Sequence, residues 1–179
     1  EQEAEKENKS YKINNYGEAI GFWRVVYNEC PQSSQYIYID GAKMYNDLIA
    51  SETDPARKEA LIDTLMMIYD QRMKFFGQRA NILGRKAVDL LRCRMDDIEA
   101  VEEAYGYLQE SLDLLKEKSS VPVVAAFMNS TFTLFAAGKI TDLTVIDNYS
   151  LISDLLDYLI AENPSDQDAR KVRENIDQN

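Results

Sequence analysis

The sequence predicts an all-α fold, an α-α superhelix of about four antiparallel helical hairpins, and three observations carry that expectation. Apolar residues recur at i, i+3, i+4 and i+7 along nearly the whole chain, and Val and Ile never alternate with polar residues for long. Glycine and proline are sparse, 7 and 4 in 179 residues, so little interrupts helix. Corresponding segments return after about 42 residues, the mark of a stacked supersecondary unit. With 45% hydrophobic against 28% charged residues, the chain can bury a core.

The clearest unit is Asp54 to Arg94. Asp54 reads as an N-cap and Pro55 sits at the first helical position, where its missing N–H costs nothing. Leu61, Leu65, Ile68, Tyr69 and Phe76 form one stripe, Gly77 breaks it, and Ile82, Leu83, Ala87, Leu90 and Leu91 form a second. Before this hairpin, residues 1–14 are polar, charged and aperiodic, and are predicted to be a disordered or frayed lead-in to one helical repeat domain over 15–179. Asn15 with Glu18 has the form of a capping box for a helix carrying Ala19, Ile20, Phe22, Trp23, Val26 and Tyr27. Cys30-Pro31 ends that helix, and the second runs from Tyr36 through Ile49, closing a hairpin over 15–52.

The third hairpin is predicted over 96–138. Asp96 with Glu99 fits a capping box, Val101 to Leu115 carry the first helix to Lys118, Ser119-Ser120 is the break, and Val121 to Ala137 is a nearly all-apolar helix that should be buried. The fourth covers 141–176, with Thr141 opening a helix that Asn163-Pro164 stops. Ser165 and Asp168 then cap a short charged helix of the kind that closes a solenoid. In register, the second helices place a small residue at Gly41, Gly84, Ala126 and Ala169, with Tyr45, Val88 and Ser130 four residues after the first three. A small residue there lets the paired helix approach closely.

That pattern, with the Pro near a helix end and Ile20, Trp23 and Tyr27 at the spacing of the large first-helix positions, resembles the tetratricopeptide repeat. The family's period is about 34 residues, shorter than the one here, and Arg24 stands where it has a small residue. The Tyr38-Ile39-Asp40-Gly41-Ala42-Lys43 and Thr64 to Arg72 segments also resemble secreted repeat proteins of Bacteroidetes. The first resemblance implies a tetratricopeptide-like solenoid and the second an exported protein, periplasmic or of the cell envelope. The sequence opens at Glu1, so a removed signal peptide would leave no trace in it.

Charge and residue types narrow the chemistry. A net charge of −11 without a compact basic run disfavours nucleic acid and anionic membrane surfaces, and no apolar run approaches the roughly 18 residues of a membrane span. Having no His, the chain lacks the usual general base and zinc ligand, and no glycine-rich phosphate loop follows a strand. The acids at 96–103 complement a helix N-terminus and lack calcium-loop spacing, so no metal and no cofactor is expected. Glu59, Asp63 and Asp70 read as a solvated face, and Asp157 is among the few acids near an apolar stripe. Catalytic residues are therefore not assigned. Cys30 and Cys93 are predicted to be two thiols, at helix ends on opposite rims of the stack.

Eleven tyrosines suit a binding surface, although Tyr27, Tyr45, Tyr69, Tyr105 and Tyr149 lie on core stripes, as Trp23 and Phe22 do; Tyr36 and Tyr38 are the surface candidates. In stacked hairpins the first helices line a concave groove, which here predicts Asp63, Met67, Asp70, Gln71 and Lys74, extended by Arg24 and Gln109. The expected function is a non-enzymatic scaffold that binds a protein or peptide in this groove. The alternative is a structural subunit, self-associating as a homodimer through the apolar helix 121–137.

Overall fold

A computed structural model describes residues 19–178, and all regular structure among them is helical. The lead-in at 1–14 and the Asn15/Glu18 capping box lie outside the described residues. The chain divides at Gly77/Gln78 into two units, a division that falls within the 54–94 segment.

The first unit holds α1 (residues 19–29), α2 (Tyr36–Ser51) and α3 (Pro55–Phe76). Asp54 caps α3 as the sequence predicts, its carboxylate accepting from the Arg57 N–H at 2.8 Å, with Pro55 at the first position. The core is aromatic. Trp23 and Tyr27 of α1 stack at 4.7 Å, and the Trp23 Nε1–H donates to the Ile37 carbonyl at 2.7 Å. The indole lies against Gly41, where a Cβ would come within 2.4 Å of it. That is the close approach anticipated at the first small residue of the repeat. From α3, Ile62, Leu65, Ile68 and Tyr69 are buried; Leu61, read from the sequence as core, is only half-buried because Ile62 takes the inward position. On α1 the apolar arc is wider than the buried face, and Phe22, expected in the core, is 78% exposed because it points away from Trp23 and Tyr27.

The second unit holds α4 (Arg79–Arg94), α5 (Ile98–Leu115), a 3₁₀ turn (Lys116–Lys118), α6 (Val121–Ala136), α7 (Asp142–Glu162) and α8 (Gln167–Asp177). Helix α4 packs along α5 and reaches α6, α5 packs on α6, and α6 in turn packs on α7 and α8. The caps correct two sequence assignments by one residue. Asp97, not Asp96, is the N-cap of α5, because a turn closed by Asp97 N–H to the Arg94 carbonyl leaves it extended, with Oδ1 accepting from Glu99 and Ala100. Likewise Asp166, not Ser165, caps α8, while Thr141 caps α7 as predicted. Gly84 meets Val123 and Ser111, whose side chains a Cβ would approach to 2.7 and 2.9 Å. Helix α8 buries only Ala169 and Ile176, and Arg173 ties it to α7 by donating to Ser153 and Asp157. Cys30 and Cys93 are thiols and form no disulfide.

Candidate functional site: a cleft between α5 and α7

The groove residues predicted from the sequence lie on α1, α3 and α5, all but Gln109 in the first unit. On α3, Asp63, Met67, Asp70 and Lys74 follow one another at i, i+4, i+7 and i+11 and form a continuous exposed strip, with Gln71 half-buried at its edge. Arg24 is exposed on α1, and its Nε–H donates to the Tyr45 hydroxyl at 3.4 Å. Tyr27 lies close enough to Asp70 to feel its charge. Burial first, then the fields of Tyr38, Tyr45 and Asp70, push the Tyr27 phenol up to about 12. Its hydroxyl is buried and has no hydrogen-bond partner among the described residues. Gln109 is exposed on α5, in the second unit.

The two surface aromatics part company. Tyr36 is exposed, whereas Tyr38 is 0% exposed, which corrects its assignment to the surface. The physical reason is register: Tyr38, Ala42, Tyr45 and Ile49 form the inward stripe of α2, so the first turn of the helix already belongs to the core. Its ring packs against Tyr27 and Phe76, and its hydroxyl escapes unsatisfied burial by donating to the Pro31 carbonyl at 2.8 Å.

Concavity is found in the second unit. Helices α5 and α7 both pack on α6 without backbone contact with each other, so a furrow runs between them. A buried polar link closes one end. Asn148 of α7 donates to Tyr105 Oη of α5 at 2.9 Å and to Thr131 Oγ1 of α6 at 3.0 Å, with Tyr105 stacked on Phe127 at 5.0 Å. Seven residues further along each helix, the furrow opens into a cleft of ≈ 450 Å³ where Leu112 faces Leu155. Because Tyr105 meets Asn148 and Leu112 meets Leu155, α5 and α7 run parallel.

The local sequence shapes the cleft. Leu112 and Leu155 are buried and make its floor; Leu151 and Tyr158, 50% and 44% exposed, make the α7 wall. At the end of α5, Lys116 takes a positive φ of 50°, its N–H donating to the Leu112 carbonyl, and the chain turns sharply into the 3₁₀ segment that packs on α7. That turn carries Lys116 and Glu117 to the rim, where Asp113 and Asp154 also stand. Three carboxylates thus face one ammonium, and none of the four is ion-paired or hydrogen-bonded through its side chain among the described residues. The cleft thus has an apolar floor and an unpaired charged rim.

Sequence reasoning located the groove on the first helices of hairpins, and α5 and α7 are two of these, but it named none of the cleft residues. A signal was present. Leu143, Leu151 and Tyr158 lie outside the stripe that α7 needs for its core, and all three are exposed. Asp157 accepts from Arg173 at 3.1 Å. Among the described residues no group of three or more acidic or cysteine side chains is arranged to hold a metal ion, and no helix is long and apolar enough to cross a membrane. No protein-family model matches the sequence, and no curated protein matches it significantly.

Proposed function

We propose that the chain is a non-enzymatic module that binds a protein or peptide, and that the α5/α7 cleft is where it does so. The observation that carries this reading is the pairing of exposed Leu151 and Tyr158 with a buried leucine floor and a rim of unpaired charge. Exposed apolar side chains flanking a concavity mark interaction surfaces more strongly than scattered ones do. The burial of α6 also weighs for a cleft and against self-association through that helix. Its Val123, Val124, Phe127, Met128 and Leu134 are spent on packing within the unit, leaving Phe135 as its one exposed large apolar side chain.

The test is selection of a displayed random-peptide library on the full chain and on a Leu151→Glu variant. Leu151 is half exposed, so the substitution places a charge on the cleft wall at little expense to the core. A motif enriched on the wild type and lost on the variant supports the reading. Failure to enrich any motif, or a motif indifferent to the substitution, contradicts it.

A further inference from the structure

Resting on the cleft as a binding site, we propose that its occupant is a basic amphipathic helix, a segment with two apolar side chains two turns apart and Lys or Arg beside them. Three features of the cleft select these properties. The first is the state of its walls. Both are α-helices, whose backbone donors and acceptors are consumed in their own hydrogen bonds, so an extended peptide would find no ladder to join. A helical segment satisfies its own backbone and asks of the cleft only side-chain contact. The second is shape. Two parallel helices held apart on a third leave a furrow, and a further helix seats in such a furrow by ridge-into-groove packing.

The third feature is spacing and charge together. Leu151 and Tyr158 are two turns apart, roughly 10 Å along α7 at 1.5 Å per residue, which matches apolar anchors at i and i+7 on the incoming helix. Around them Asp113, Glu117 and Asp154 outnumber Lys116, and all four are exposed. Other acids on these two helices already hold a cation: Glu110 holds Arg79, Glu102 holds Lys139, and Asp157 holds Arg173. The three rim carboxylates have no such cation among the described residues, so a cationic helix supplies one and an acidic helix meets repulsion. In a chain of net charge −11 the same sign extends to the long-range field that steers encounter.

The experiment uses a helix-forming display library with apolar residues fixed at i and i+7 and the flanking positions drawn from Lys, Glu and Gln. It is selected on the full chain and on the double variant Asp113→Lys/Asp154→Lys, whose exposed substitutions leave the core intact; matched thermal melts by circular dichroism verify this. Lys should dominate the flanks on the wild type and Glu on the double variant. A Lys-flanked peptide should weaken by about tenfold or more between the two, and in proportion to added salt on the wild type. Peptides that depend on Leu151 but show no preference for Lys, or prefer Glu, overturn the inference and leave the cleft as a peptide site. If no selected peptide depends on Leu151, the cleft reading falls and the inference with it.

Discussion

The Asn148 amide of α7 donates to the Tyr105 hydroxyl of α5 at 2.9 Å, and this bond sets where the space between the two helices ends and the cleft begins. Asn148 is buried and also holds Thr131, so its side chain joins three helices at one point. Replacing it by Ala takes the amide donor from the Tyr105 hydroxyl and from Thr131, which keeps only its own bond to the Phe127 carbonyl. The expected cost is about 1–3 kcal/mol in urea unfolding followed by circular dichroism. Thr131→Val, which removes one partner while keeping its shape, should cost less.

Two glycines on helices should answer a methyl group in opposite ways. At Gly41 a Cβ meets the rigid Trp23 indole at 2.4 Å, and a clash with a ring pinned by its own hydrogen bond has no cheap relief. Gly41→Ala should destabilise the first unit by about 1–3 kcal/mol, despite the better helix propensity of Ala. Trp23, the sole tryptophan, reports this unit by fluorescence. At Gly106 nothing lies within 4 Å of the added atom, so Gly106→Ala should stabilise by about 0.5–1 kcal/mol.

Lys116 holds a positive φ of 50°, a region in which a side chain is strained and glycine is not. Lys116→Gly should raise stability by about 1 kcal/mol in chemical denaturation. It also removes the one cation on the rim of the cleft. The same variant should therefore bind a Lys-flanked helix more tightly than the wild type does, as measured by fluorescence anisotropy.

The buried Tyr27 hydroxyl ties stability to alkaline pH. Its folded value is raised to about 12, above the ordinary tyrosine value near 10, so the folded state keeps a proton that the unfolded chain gives up. Its contribution is complete below pH about 10 and is lost as pH rises from there toward 12. Tyr27→Phe should flatten that decline in urea midpoints between pH about 10 and 12. Near neutral pH it should be neutral or slightly stabilising, since the lost hydroxyl has no partner among the described residues.

Helices were legible in the sequence because their signals are local. Asp54-Pro55 and Thr141 need only neighbouring backbone to act as caps, and Gly41 announced a close approach by recurring at Gly84. One-residue errors at Asp97 and Asp166 arose where two candidate caps stand side by side, and the turn before the helix chooses between them. Tyr38 stands beside a loop, yet its spacing to Ala42 and Tyr45 puts it on the inward stripe of α2. The cleft was hidden for a different reason. It depends on α5 and α7 both leaning on α6 without meeting, a non-local fact, and only the surplus apolar residues of α7 hinted at it.

The most direct test of the cleft as the binding site is an amide chemical-shift titration of the full chain with a library-selected peptide. The account predicts that shifts gather at Leu112–Lys118 and Leu151–Tyr158, on both walls and the turn between them. Shifts gathered instead on the Asp63–Lys74 strip of α3, or spread without focus, would contradict it.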